Sequence, residues 1–461
     1  MEKKVASNKV LLIFAIGQLG WSILAGIISN CLVFFYQPTK AELDLGQTEF
    51  IPQGTILGLT AIGLITAFGR VFDAVTDPFI AGKSDTLDHK WGRRIPFMRF
   101  AAIPFGAVTV LLFVSPFKAG SMANAAMLFV FAMLFYLCMT CYCTPYNALI
   151  PELGRTQNAR INLSTYISVT YIFGTAIAYL VPNIASRFMS KLGYANSYRL
   201  SIGIFAIIAV IAMLVPAFLI DENAYAVTTP SKTDTISSLK STFRNKEFRT
   251  FVLSDILYWI GLTLFQTGLM FYVTVLLGLS KSMTFPLFAT MTAASLLCYP
   301  FVNILSKKMG KKKLTAFAFV FFSLAFLVTS AAGILPIPGV VYGVLIALLA
   351  AVPMAILGIL PQAVVADISE AEKYDTGENR QGMFYAARTF AFKLGQSVAM
   401  IIFTSLAIIG RKLPEDNVFY GFGYRLTAIA AAVLCLLGGI VFMRYNEKSI
   451  LKKIEEGQKN A

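Results

Sequence analysis

The chain has 461 residues, of which 57% are hydrophobic and 14% charged, with a mean hydropathy of +0.70, a composition that excludes a soluble globular enzyme. A spanning helix needs about 20 apolar residues, which the chain supplies repeatedly, whereas the ten-residue alternation of an outer-membrane barrel is missing. The net charge of +15 would point to nucleic acid in a soluble protein, but Lys and Arg here sit between apolar runs, where they orient a chain in a bilayer.

Met1-Glu2-Lys3-Lys4 leads into an apolar run with no small-residue cleavage site, so the first segment is read as a spanning helix and not as a cleaved signal. Apolar runs against charged punctuation predict helices at 10–36, 54–80, 95–115, 121–150, 161–182 and 199–220. Six more follow at 247–278, 283–306, 313–333, 338–365, 382–409 and 420–444. The longest break, Asp221 to Lys246, is polar and falls after the sixth helix, dividing the chain into a bundle at 1–220, a central loop at 221–246 and a second bundle with a tail at 247–461. The expected fold class is therefore an all-α membrane protein of twelve transmembrane helices in two six-helix bundles.

The N-terminus, the loops after even-numbered helices and the C-terminal tail hold 26 Lys and Arg against nine on the other side, which places both termini in the cytoplasm. Cys31, Cys138, Cys141, Cys143, Cys298 and Cys435 all lie in apolar stretches and His89 is the single histidine, so no disulfide framework and no His-rich metal site is expected. The loop after helix 2, Ser84 to Gly92-Arg93-Arg94, has a counterpart after helix 8, Ser306-Lys-Lys-Met-Gly310-Lys311-Lys312-Lys313. Helices 4 and 10 both carry late prolines, Pro145 and Pro151 in one, Pro353 and Pro361 in the other. Parallel six-helix halves with a substrate site at their interface are how major facilitator transporters are built.

Ionisable residues cost about 2.5–3.5 kcal/mol each at a bilayer centre, so those inside the spans need a reason. Helix 2 carries Arg70, Asp73 and Asp77 at spacings of three and four, hence on one face, with Thr76 at its edge. Two carboxylates a turn apart beside a hydroxyl make a hard-oxygen site for Na⁺, or for a proton if one carboxyl holds it. A structural Arg–Asp pair accounts for one acid, not two, although Asp77 also lies near the helix end. Helix 11 carries Arg388 and, about 15 Å deep, Lys393, whose charge wants a carboxylate such as those of helix 2 or an anionic solute. Asp255 and Asp367 fall near helix ends and are read as interfacial. Asp85, Arg93 and Arg94 in the first basic loop, with Glu152 and Arg155 after helix 4 and Glu378 with Arg380 before helix 11, are expected to form gating pairs.

Asp73-Ala-Val-Thr-Asp77-Pro78, Ser84-Asp85 and Trp91-Gly92-Arg93-Arg94-Ile-Pro96 resemble the signature of the glycoside-pentoside-hexuronide:cation symporters, the melibiose permease family of the major facilitator superfamily. Pro145-Tyr146-Asn147-Ala148-Leu149-Ile150-Pro151-Glu152 and the segment from Ala366-Asp367-Ile368 to Gly382 agree, so the resemblance runs through both halves. It implies uptake driven by Na⁺ or H⁺ across a cell membrane, with Asp73 and Asp77 as cation-site acids, Thr76 where the melibiose permease has Asn, and Lys393 as the helix 11 lysine.

The alignment places Ser22 and Cys143 where that permease has sugar-binding acids, and Asn147 where it has Trp, which argues against its galactoside site. The loss of those acids beside Lys393 and Arg388 favours an anionic sugar. Neutral sugars would instead stack on Trp21, Tyr142, Trp259 or Tyr385 and bond to Asn147, Gln266 or Gln396. A lysophospholipid symporter or flippase on the same scaffold is the alternative. Expected partners are thus a small sugar or glycoside, the coupling cation and the bilayer, with no cofactor, no nucleic acid and no catalytic residue.

Overall fold

The structure, a computed structural model, describes residues 5–56, 58–154, 156–225, 241–376, 381–414, 417 and 419–460. It is built of helices: α1 (Asn8–Tyr36), α2 (Ala61–Thr86), α3 (Ile95–Leu111), α4 (Met122–Leu153), α5 (Gln157–Ala178) and α6 (Tyr194–Leu219). After them come α7 (Lys246–Phe271), α8 (Thr284–Met309), α9 (Lys311–Ser330), α10 (Gly339–Thr376), α11 (Gln381–Ala407), α12 (Phe422–Phe442) and α13 (Glu447–Asn460). Short helices at Lys40–Asp44, Val181–Leu192 and Glu222–Tyr225 fill connections. Among the described residues ten helical stretches are long and apolar enough to cross a membrane. The helix α3 is apolar but has 17 residues. The 26-residue α2 carries Arg70, Asp73, Asp77, Lys83 and Asp85. Together these account for the twelve predicted spans.

Boundaries move where local chemistry outweighs hydropathy. The second helix begins at Ala61 and not near 54, because Thr55–Ile56 pairs antiparallel with Leu59–Thr60 and the Thr60 hydroxyl then accepts from Gly63 N at 3.2 Å. The tenth helix continues to Thr376 through a polar stretch that hydropathy ends at 365, because its last turns dock on α13. There Lys453 pairs with Asp375, and Gln458 donates to Glu370 at 3.3 Å. Val181–Leu192 was expected to be loop after Pro182; it is an amphipathic helix that packs on α6.

The chain divides into two compact units, residues 1–230 with 411–420, and residues 231–410 with 421–461. In the first unit the main packed pairs are α1 with α5, α1 with α6, α2 with α4, α3 with α4 and α3 with α6. In the second they are α7 with α11, α7 with α12, α8 with α10, α9 with α10 and α9 with α12. Adding six to each label of the first set produces the second, so each unit is one copy of the same bundle. Because lipid offers no hydrophobic drive between helices, close backbone approach must supply the packing. A Cβ on Gly20 would lie 2.4 Å from Ala209 O on α6.

The repeat extends to side chains. The Glu222 carboxylate, just beyond α6, accepts from Arg94 N at 2.8 Å and Ile95 N at 3.0 Å at the start of α3. Glu447, just beyond α12, accepts from Lys311 N at 2.7 Å and Lys312 N at 3.0 Å at the start of α9. A carboxylate there satisfies unpaired N–H groups and the positive end of the helix dipole. Each cap sits against a glycine with positive φ, Gly92 at 98° and Gly310 at 81°. In the first unit, Arg411 lies 3.0 Å from Gln53 Oε1 and 3.2 Å from Glu49 Oε1.

Candidate functional site

The spacing of Arg70, Asp73 and Asp77 places all three on the side of α2 that meets α4. Gly69 lets the two helices close, since a Cβ there would lie 2.2 Å from the Tyr136 ring. Asp73 is fully buried and its Oδ1 accepts from Thr140 Oγ1 at 2.8 Å. One turn along, half-buried Asp77 accepts at Oδ1 from Thr144 Oγ1 at 3.1 Å. Thr76 Oγ1 donates to Phe72 O at 2.9 Å and lies 3.3 Å from Thr140 Oγ1.

Two carboxylates four residues apart thus face two threonines four residues apart, with a third hydroxyl between. The donor set is oxygen throughout, hard ligands matched to Na⁺ or a proton. A hydroxyl that donates to a carboxylate keeps lone pairs for a cation. Thr140 and Thr144 were missed in the sequence, although their spacing repeats that of the two acids. Cys138 and Cys141, on the same helix, are free thiols.

The other residues of the first unit divide. Trp21 is half-buried on α1, its ring 6.2 Å from that of Tyr171 on α5, and its indole N–H is buried with no hydrogen-bond partner among the described residues. Arg70 lies with its guanidinium 5.4 Å from the Tyr136 ring centre. Ser22 is buried and donates to Gln18 O at 2.5 Å. Tyr142, expected to offer a stacking face, is fully buried, gives its hydroxyl to Met213 O on α6 at 2.9 Å and stacks on Tyr146. Its ring belongs to the helix packing. Cys143 is half-buried and Asn147 exposed.

In the second unit, Arg388 and Asp255 form a two-point pair: Nε to Oδ2 at 2.7 Å and Nη2 to Oδ1 at 3.0 Å, with both residues buried. Asp255 was read as interfacial and Arg388 as a substrate contact; here each neutralises the other, and the pair ties α11 to α7. Trp259 stacks on Phe392 with centroids 4.6 Å apart, and Lys393, the next residue along α11, is half-buried. Gln266 and Gln396 are half-buried, and Tyr385 donates its hydroxyl to Gln362 O at 3.1 Å.

At the α3 end of the first unit, Arg94 bonds Glu152, Asp85 Oδ1 at 3.1 Å and Ala148 O at 2.7 Å. Arg93 donates to Asp85 O at 2.9 Å and lies 3.9 Å from Glu152. The equivalent end of the second unit has Lys311 on Asp367 at 2.5 Å. Of the expected gating residues, Arg155, Glu378 and Arg380 lie outside the described residues.

The family profile described as MFS/sugar transport protein matches residues 13–447. The inner membrane symporter YicJ of Escherichia coli is 22% identical over an alignment covering 100% of this chain and 97% of that one. An uncharacterized symporter of Synechocystis is 31% identical over 175 residues, which span 37% of this chain and 29% of that one. Among solved structures, the D-xylose-proton symporter superposes with a TM-score of 0.66 at 14% identity, covering 95% of this chain and 97% of that one.

Proposed function

The chain belongs to the MFS/sugar transport protein family, a family of membrane transporters and not of enzymes, and from that premise we propose that it imports a sugar, glycoside or hexuronide coupled to Na⁺ or H⁺. It is a multi-pass membrane protein with the major facilitator fold. The observation that carries the coupling reading is the matched pair of contacts between α2 and α4, Asp73 with Thr140 and Asp77 with Thr144.

Two carboxylates one turn apart on the same helix face repel each other, at a cost. A bound cation removes that cost, draws on the hydroxyls of Thr76 and Thr140, and tightens α2 against α4. Solute bound without the cation leaves that repulsion inside a closing site, so the loaded but cation-free protein resists occlusion, and alternating access moves cation and solute together. On this reading both termini are cytoplasmic, and the Asp85, Arg93, Arg94 and Glu152 cluster is a latch on that face.

The test is uptake of radiolabelled glycosides, pentoses, hexuronides and lysophosphatidylcholine into proteoliposomes, with and without an inward Na⁺ or H⁺ gradient. One sugar accumulates under one gradient, and Asp73→Asn or Asp77→Asn abolishes the stimulation while the protein still inserts. Undiminished coupling in both variants removes the cation site, and movement of lysolipid in place of sugars removes the substrate class.

A further inference from the structure

Arg99 is the fifth residue of α3, about 6 Å along the helix from its start. Its guanidinium carbon stands 4.1 Å from the ring centre of Trp91 and 4.6 Å from that of Phe218, and its Nε–H goes to Ala217 O near the end of α6 at 2.6 Å. Among the described residues its Nη1 and Nη2 groups have no acceptor, and no carboxylate pairs with them. Lys90 stands 5.3 Å from the same Trp91 ring and likewise forms no ion pair among the described residues. The surface around these cations is apolar. Phe100 and Ile103 on α3 and Phe218 and Leu219 at the end of α6 are all exposed, which in a membrane transporter is contact with lipid. The bundle itself does not require the arginine. Counted from the capped N–H groups, Arg94 corresponds to Lys311, so the second unit has Ala316 where the first has Arg99.

We propose that this junction of α3 and α6 is a binding site for an anionic phospholipid, with Arg99 holding the lipid phosphate. Two rings and the Nε bond fix the plane of the guanidinium, so its two Nη groups can give parallel bonds to phosphate oxygens with little further ordering. Trp91 is the residue type that sits at the level of the headgroups, and the exposed side chains of Phe100, Ile103 and Phe218 offer the acyl chains an apolar bed. The charge balance selects the headgroup. Lys90 adds a second cation, whereas the Glu222 carboxylate is spent on Arg94 N and Ile95 N, and Asp88 and Asp221 form no ion pair among the described residues. A choline headgroup would bring its own cation beside Lys90; a glycerol headgroup brings none, so the lipid is of the phosphatidylglycerol kind. On the orientation proposed above its leaflet is the cytoplasmic one. The site lies apart from the carboxylates of α2, and the proposal depends on neither the solute nor the coupling ion.

The experiment is native mass spectrometry of the full chain released from detergent and titrated with dioleoylphosphatidylglycerol or dioleoylphosphatidylcholine, with inorganic phosphate as competitor. The unaltered protein takes its first phosphatidylglycerol about five- to tenfold more tightly than phosphatidylcholine, and excess phosphate does not displace it. Arg99→Gln lowers phosphatidylglycerol affinity about tenfold and Lys90→Gln about threefold, while Lys313→Gln, an exposed cation of the second unit, leaves it unchanged. The melting temperature of each variant verifies its fold, and Lys90, an exposed loop residue, decides the matter if Arg99→Gln does not fold. Equal affinity for the two lipids, unchanged affinity in Arg99→Gln or Lys90→Gln, or an equal loss in Lys313→Gln overturns the assignment. Displacement of the lipid by phosphate makes the junction a site for free anions and overturns it too. Failure of gradient-driven uptake would sink the symport reading and leave this binding result standing.

Discussion

Asp255 and Arg388 show why a charge inside a span is read from its partner and not from its depth. In the sequence they are 133 residues apart, and the two-point geometry that joins them depends on the register of α7 against α11. Removing one member strands the other in a buried site, so Asp255→Ala is expected to cost about 3–5 kcal/mol of stability, measured by denaturant unfolding in detergent. The double variant Asp255→Asn with Arg388→Gln should recover part of that loss; an additive loss would show that the pair is not the source. Thr140→Val makes the parallel case at the acids. It deletes a hydroxyl donated to a buried carboxylate, about 1.5–3 kcal/mol, and should lower the melting temperature in the absence of the cation; with Na⁺ as the coupling ion, the loss of an oxygen ligand should also raise the Na⁺ concentration for half-maximal uptake by roughly ten- to a hundredfold. The face holding Arg70, Asp73 and Asp77 was legible because it follows from helical spacing alone. Thr140 and Thr144 were not, because which face of α4 meets α2 is a property of packing, set by Gly69 and Tyr136.

At the scale of the element, hydropathy located every span but ended several in the wrong place. The start of α2 was misjudged because apolar residues before Ala61 serve a hairpin, and the end of α10 because charged residues such as Asp367 and Asp375 are satisfied by Lys311 and Lys453 instead of water. The two basic turns were visible as a weak repeat; their shared purpose, to seat a distant glutamate on the first N–H groups of the next helix, was not. Glycine is required at both. At φ 81° and ψ 154° Gly310 occupies backbone space closed to other residues, and a Cβ there would approach Glu447 Oε2 at 2.9 Å. A Cβ on Gly92 would meet Glu222 more deeply, 2.6 Å from its Cβ as well as 2.4 Å from Oε2. Each Ala substitution is expected to cost about 1–2 kcal/mol from backbone strain, and Gly92→Ala should lower the melting temperature further than Gly310→Ala, because the stem of Glu222 cannot swing aside as a carboxylate tip can. Equal shifts would mean that the caps play no part.

For the whole molecule, the same five helix pairings occur in each unit and use only helices of that unit. Two polypeptides, residues 1–230 and 231–461, should therefore each insert and keep their interiors closed, with Cys31 in the first and Cys435 in the second, both fully buried in the chain, remaining inaccessible to a membrane-permeant maleimide. Labelling of Cys31 in the isolated first half would show that its packing needs more than its own six helices; the contribution of Arg411 to Glu49 and Gln53 is the part it lacks. The glutamate caps also bear on how the protein is made. Glu222 lies 128 residues beyond the backbone N–H of Arg94, and Glu447 lies 136 beyond that of Lys311. At a translation speed of about 5–20 residues per second, the first turn of α3 leaves the ribosome roughly six to twenty-five seconds before its cap exists, and α9 waits a similar time. Each bundle is thus sealed by the last residues it receives, and a nascent chain halted at Leu219 would carry all six of its helices while the third still lacked its closing anion.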